Sequence, residues 1–63
     1  MTTTAERIVL TSFNAAQAEE TAIKEVSMVA IEEDLLGTEK AYCFEDGSRL
    51  VLRGTDYLWD YAE

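Results

Sequence analysis

Two short apolar runs on either side of an Asp-Gly pair constrain the fold of this chain more than any other feature. Residues 40–45 and 48–53 flank Asp46-Gly47, the pattern of a β-hairpin. A two-residue turn would put the large apolar side chains of the two strands on opposite faces, whereas a three-residue turn over 45–47, with Gly47 in the left-handed region, puts them on one face. Because a one-residue slip moves every side chain to the other face, the pattern predicts the three-residue turn. The side chains concerned are those of Tyr42, Phe44, Leu50 and Leu52.

A second turn at Gly54 leads into residues 57–62, where aromatic residues alternate with Leu58 and Asp60. Such alternation is typical of a strand, so the second half of the chain predicts a three-stranded antiparallel β-meander. The odd-numbered side chains are expected on the sheet face away from the helical layer, where they would form an aromatic patch open to a partner. They are Cys43, Val51, Tyr57, Trp59 and Tyr61.

The residues before Gly37 have the composition of helices, because Ala, Glu and Ile dominate there. Asn14 with Gln17 three residues later matches the Asn/Gln form of the capping box. The pattern therefore predicts a helix over 15–36 that ends at Gly37. A short buried strand over 26–31 is the alternative that the apolar run leaves open.

Residues 5–13 fit either a helix or an edge strand over 7–11, and the helix is favoured because Ile8 and Phe13 continue a helical stripe. The whole chain, residues 1–63, is then one small acidic α+β domain. Its N-terminal helical half is expected to pack on the three-stranded antiparallel β-meander. A domain of this length buries only about 60% of its unfolded surface, so its stability margin is small.

Charge is the feature that bears most directly on function. The chain has 13 Asp and Glu against 5 Lys and Arg, a formal net charge of −8 on 63 residues. A field of this sign repels nucleic acid and anionic membranes and attracts basic clefts. The expected partner is therefore a basic nucleic-acid-binding protein, with no direct contact to nucleic acid or membrane.

The candidate partner-binding residues are assigned by charge alone. Three of them, residues 32–34, would lie in the last turn of the predicted helix, where the helix dipole disfavours acids. A sequence that keeps acids there suggests that they serve another purpose. The full set is Glu19, Glu20, Glu25, Glu32, Glu33, Asp34, Glu45, Asp46, Asp56 and Asp60.

The composition argues against an enzyme. The chain has no histidine, so neither Cys43 nor a serine has a base to activate it, and no Cys or His set predicts a metal. No cofactor is expected either, and 63 residues are too few for the cleft that a carboxylate pair needs. A single cysteine fits the reducing cytosol, and the N-terminus lacks the pattern of a signal peptide. We therefore expect a cytoplasmic protein.

Residues 42–50 and the Tyr/Trp strand after them carry a family resemblance. Together with the acidic, Glu/Ala-rich first half, the run Tyr-Cys-Phe-Glu-Asp-Gly-Ser-Arg-Leu resembles small phage-encoded anti-CRISPR proteins, above all acidic inhibitors of type I CRISPR–Cas systems. The resemblance implies an inhibitor of the type I surveillance complex (Cascade), bound to a Cas subunit in the host bacterial cytosol. It implies DNA mimicry, in which the protein blocks target-DNA binding by occupancy without catalysis.

Two other classes stay open. An antitoxin or regulatory adaptor that neutralises a basic toxin would use the same acidic surface. A dimerisation module is the other, because the predicted helix carries two apolar stripes that need cover on both sides. The stripes consist of Ile23, Val26 and Ala30, and of Met28, Ile31 and Leu35. A homodimer would cover the second stripe.

Overall fold

In a computed structural model, which describes residues 2–61, two helices precede a four-stranded antiparallel sheet. The predicted α+β class is confirmed, but the sheet has four strands where three were predicted. The strands follow one another in the sheet in chain order, as a meander. The elements are α1 (Thr4–Thr11), α2 (Ala15–Lys24), β1 (Met28–Glu33), β2 (Glu39–Phe44), β3 (Ser48–Arg53) and β4 (Asp56–Tyr61).

The additional strand replaces the second half of the predicted long helix. The prediction of a helix over 15–36 is wrong beyond Lys24, where α2 ends, and β1 pairs antiparallel with β2. Val29 and Ile31 are β-branched, so they lose side-chain freedom in a helix but fit a pleated sheet. A strand in this region is therefore the correct alternative, although β1 is largely exposed and not buried. The helix with two apolar stripes does not exist.

Both helices begin at side-chain caps. The Thr3 hydroxyl accepts a hydrogen bond from the Glu6 N–H at 3.2 Å, and the Asn14 side chain accepts one from the Gln17 N–H at 2.8 Å. The Gln17 side chain reaches back to the N–H of Phe13 at 2.6 Å, which completes a capping box shifted by one residue. The Asn14 cap confirms the predicted start of α2. The helix favoured over 5–13 is confirmed as α1, but it ends at Thr11, and Ser12 and Phe13 lie outside it.

The hairpin between β2 and β3 has the predicted register. Tyr42 pairs with Leu50, and the turn consists of three residues, 45–47. Gly47 has a φ of 85°, and its N–H donates to the Phe44 carbonyl at 3.0 Å. A residue with left-handed backbone conformation at this position matches the three-residue turn that the apolar pattern predicts.

The core lies between the two helices and one face of the sheet. Its buried residues are Ala5, Ile8, Ala18, Ala22, Tyr42, Phe44, Leu50 and Leu52. Tyr57 and Trp59 also pack against this core, so the predicted aromatic patch on the opposite face is wrong. The β3–β4 turn has two residues and pairs Arg53 with Asp56, which gives Trp59 and Leu50 the same face.

The sheet face away from the helices is lined by short apolar side chains between charged ones. Ala41 and Val51 are buried at its centre, and Leu58 lies beside them on β4.

Within residues 2–61, neither helix is long and apolar enough to cross a membrane.

Candidate partner-binding surface

The predicted partner-binding carboxylates do not gather on one side of the molecule. Some lie at the end of the sheet that carries the β2–β3 turn, near the first turn of α1. Others lie at the opposite end, where β1 ends and β2 begins, and Glu19, Glu20 and Glu25 lie on or just after α2. We call the first group, Glu45 and Asp46 together with Glu6, which was not predicted, the hairpin end. We call the second group, Glu32, Glu33, Asp34 and Asp56 together with Glu39, which was not predicted either, the β1 end.

All five Lys and Arg side chains are used in ion pairs within the chain. Arg53 pairs with Glu39 at 3.0 Å, and Lys24 pairs with Glu20 at 2.9 Å. The other pairs are Arg7 with Glu25, Lys40 with Glu19, and Arg49 with both Glu32 and Asp60. Because each cation is already paired, none is left to neutralise the remaining acids of residues 2–61.

Six of the twelve described carboxylates have no cation within ion-pair distance among residues 2–61. Two of these six, Asp34 and Asp46, accept hydrogen bonds from the chain's own backbone. The four described acids that have neither kind of partner are Glu6, Glu33, Glu45 and Asp56. Two of them, Glu6 and Glu45, lie at the hairpin end, and the other two lie at the β1 end.

Asp46 and Ser48 join the hairpin end to α1. The Asp46 carboxylate accepts the Thr4 N–H at 2.8 Å and the Ser48 N–H at 3.0 Å, while the buried Ser48 hydroxyl accepts the Ala5 N–H at 3.1 Å. The Ser48 hydroxyl in turn donates to Asp46. These hydrogen bonds, that of Ser48 first and then that of Thr4, hold the pKa of Asp46 well below its usual range. Asp46 is therefore tied to the first turn of α1.

Asp34 plays a similar role in the β1–β2 turn. Its carboxylate accepts the Thr38 hydroxyl and the Thr38 N–H, each at 2.7 Å. The hydrogen bond from the Thr38 side chain is the main reason why the pKa of Asp34 is lowered. Because residues 32–34 lie in a strand and a turn, they do not oppose a helix dipole, and that argument for a special role of these acids is wrong.

Arg49 connects three strands on the sheet face away from the helices. Its Nε and Nη2 donate to the two carboxylate oxygens of Asp60 at 2.8 and 2.7 Å, and its Nη1 donates to Glu32 at 3.0 Å. The bidentate contact raises the pKa of Arg49 and lowers that of Asp60. The arrangement ties β1 and β4 to β3 and neutralises part of the β1 end.

Glu19 connects α2 to the sheet. It accepts the Tyr42 hydroxyl at 2.6 Å and lies 3.6 Å from the Lys40 ammonium. Burial and, second, the Glu19 carboxylate raise the pKa of Tyr42. Lys40 and Arg53 line an open groove of about 680 Å³ beside the start of α2, but both are already paired with acids. The groove has therefore no free positive charge to offer an anion.

A smaller concavity at the β1 end is mainly acidic. It has a volume of about 250 Å³ and combines one apolar and one cationic residue with four carboxylates. Its lining consists of Glu32, Glu33, Asp34, Glu39, Ala41 and Arg49. The structure thus brings together three of the predicted site residues here, and Glu39 joins them without having been predicted. Its position opposite Arg53 in the β2–β3 register would have shown its proximity once a fourth strand was recognised.

The side chains suited to catalysis are few and unactivated. Cys43 is partly buried, its thiol faces Glu32 at 3.5 Å, and burial followed by that carboxylate raises its pKa. A raised pKa keeps the thiol protonated and poorly nucleophilic. Among residues 2–61, no three His, Cys, Asp or Glu side chains are placed to hold a metal ion.

The edge strand β1 is a surface that the sequence pattern did not reveal, because its residues were assigned to a helix. Val29 and Ile31 are more than half exposed, and Val26 just before the strand is 95% exposed. The signal that could have found it is the β-branched run that ends in two acids, which is typical of a strand with a solvent-facing edge. No protein-family model, curated protein or solved structure matches this chain.

Proposed function

We propose that this chain is a non-enzymatic inhibitor that occupies the basic, nucleic-acid-binding surface of another protein. The observation that carries the proposal is the internal pairing of all five cations, which leaves the surplus of −8 uncompensated. Surplus charge at the surface draws the protein to a basic cleft and repels nucleic acid.

The spacing of the two acidic ends refines the idea of DNA mimicry. β2 leads from one end to the other in six residues, so the ends are about 17 Å apart. One DNA strand has about five phosphates over that length of helix axis. The protein would therefore imitate two separated groups of phosphates and not a continuous row. Between them, the exposed Leu58 side chain would meet a non-polar part of the partner's cleft.

The partner that we propose is taken from the resemblance to acidic anti-CRISPR proteins. On that proposal, the protein binds a Cas subunit of the type I surveillance complex (Cascade) in the host cytosol and prevents target DNA from entering. Inhibition by occupancy needs no cofactor and no catalytic residue. Raising the salt concentration should weaken inhibition steeply, because an interface between acids and Lys or Arg is screened.

The test removes the negative charge of the acids that have no partner among the described residues. A variant combining E6Q, E33Q, E45Q and D56N should lose inhibition of target-DNA binding by a purified type I complex, measured by fluorescence anisotropy of the labelled DNA. The matched control combines E20Q with K24Q, which alters an exposed ion pair but keeps the net charge at −8. Full inhibition by the first variant would contradict the proposal, and so would equal losses in both variants.

An antitoxin-like adaptor is the second candidate, favoured by the exposed Val29 and Ile31 next to the acids of β1. Antitoxins and other adaptors need apolar anchors as well as charge, since charge sets association rates more than affinity. A chain that leaves DNA binding by the type I complex unchanged, but suppresses the activity of a basic toxin in vitro, would support this candidate.

A further inference from the structure

We propose that the outer edge of β1 adds a strand from the partner, namely an extended segment with basic residues at one end and apolar residues at the other. The inference rests on the proposed function and deepens it, because it names the part of the partner that this face recognises. Addition of a strand to an exposed sheet edge is a common mode of peptide recognition.

The backbone of β1 offers the required hydrogen-bonding groups. The Asp34 N–H donates to the Glu39 carbonyl at 3.1 Å, one position beyond the last pair of the β1–β2 ladder, Glu33 with Lys40, so this position is a hydrogen-bonded one. In an antiparallel ladder such pairs alternate with pairs whose N–H and C=O groups point away. Ile31 and Glu33 are of the second kind, so their N–H and C=O groups point outward, away from β2.

The side chains of this edge give the segment its chemistry. Val29 is 60% and Ile31 is 52% exposed, while the last two residues of the strand are Glu32 and Glu33. Glu33 has no cation partner among residues 2–61, so a lysine across from it would gain an ion pair. An antiparallel segment would place basic residues opposite the two acids and a β-branched residue opposite Ile31, whereas Val29 lies at the bulge, beyond the regular part of the edge.

Two features limit the length and identity of the occupant. The register of β1 shifts between Met28 and Ala30, and such a bulge interrupts regular pairing, so four residues, 30–33, are left as a regular edge. A second copy of this chain fits less well than a basic segment, because it would bring another net charge of −8 to the same edge.

The experiment uses the full chain and a probe peptide, Lys-Lys-Val-Thr-Val, acetylated at one end and amidated at the other. Binding is followed by amide chemical shifts and hydrogen exchange. We expect the amides of Ile31 and Glu33 to shift and to exchange roughly tenfold more slowly on saturation. The amides of β4 should not change. The peptide Glu-Glu-Val-Thr-Val, which keeps the apolar half, should bind at least tenfold more weakly.

Two variants separate the contribution of the backbone hydrogen bonds to probe binding from that of the acidic charge. I31P removes an N–H that points outward, not one bonded to β2, at a position where edge strands accept proline. It should abolish binding, whereas I31V, which changes the side chain but keeps the N–H, should keep it. If I31P changes the circular dichroism spectrum, E33K serves instead and should weaken binding at least tenfold. Probe binding unaffected by the folded variant, or shifts confined to β4, would overturn the proposal. So would a dimer joined through β1 in analytical ultracentrifugation.

The outcomes also distinguish this inference from the proposed function. If the protein blocks DNA binding by the type I complex and I31P blocks it equally well, only the docking edge fails. If the probe binds at β1 but the protein leaves DNA binding unchanged, the docking edge stands and the proposed target fails.

Discussion

At the scale of single residues, Asp46 shows that an acidic side chain at a surface turn can be structural. We expect D46A to lower the free energy of unfolding by about 1–2 kcal/mol, the usual loss when a helix N-terminal cap is removed. E45A, at the adjacent exposed position, should change it by less than about 0.5 kcal/mol. Urea denaturation of both variants measures the difference, and equal effects would contradict the assigned role of Asp46.

The same contacts give Asp46 a pH dependence of known sign. Its pKa in the folded chain lies below the unfolded value near 3.8, so ionised Asp46 stabilises the fold above that pH. The stabilisation is lost progressively as the pH falls below about 4, because the carboxylate then takes up a proton in the unfolded chain while it is still ionised in the folded one. D46N should therefore be less stable than the wild type at pH 7, and the difference should shrink at pH 2–3 in thermal unfolding. A constant difference would show that the ionised form is not what the contacts favour.

At the scale of elements, we expect the contacts of Arg49 with two neighbouring strands to contribute to the free energy of unfolding. R49K keeps the charge but loses the bidentate contact to Asp60. We expect a loss of about 1 kcal/mol, discounted because both side chains are partly exposed. R53K, which changes a more exposed cation on the same face, should cost less in the same urea titration. The prediction fails if R53K proves the more costly change.

The elements also show what the sequence pattern could and could not supply. The register of the β2–β3 hairpin follows from Tyr42 and Leu50, because local turn geometry and side-chain parity determine it together. β1 was missed because its acids, Glu32 and Glu33, and the Ala-rich start of α2 have the composition of one continuous helix. What makes these residues a strand is their pairing with β2, a contact that the local sequence does not show. The sheet face of Trp59 was predicted wrongly for a similar reason. A change of one residue in the length of the turn at Gly54 moves every side chain of β4 to the other face.

The candidate site was predictable only in part. Composition identifies the acids, but hydrogen-bond partners such as Thr4 for Asp46 and Thr38 for Asp34 arise from the folded geometry. The pairing of Arg49 with acids from two other strands could not be deduced without the strand order. The sequence therefore predicts the sign of the surface, whereas the structure distinguishes the acids that have internal partners from those that do not.

At the scale of the whole molecule, stability and partner binding should respond to salt in opposite directions. The ion pairs are 2.7–3.6 Å long, shorter than the Debye length of about 10 Å at 0.1 M salt, so moderate salt weakens them little. The two acidic ends, about 17 Å apart along β2, lie beyond that length, so salt relieves their repulsion. Raising NaCl from 0.02 to 0.3 M at pH 7 should increase stability by about 1 kcal/mol, or about 4–8 °C in Tm.

The variant combining E6Q, E33Q, E45Q and D56N isolates the cause of that salt response. Its net charge changes from −8 to −4 while every ion pair of the described residues is kept. Its Tm at low salt should therefore exceed that of the wild type, and its salt dependence should be smaller, as measured by differential scanning calorimetry. A wild-type Tm that falls with salt would mean that the ion pairs outweigh the repulsion. In that event the surplus charge would carry little cost to folding, and the acids would need no partner to explain why they are kept.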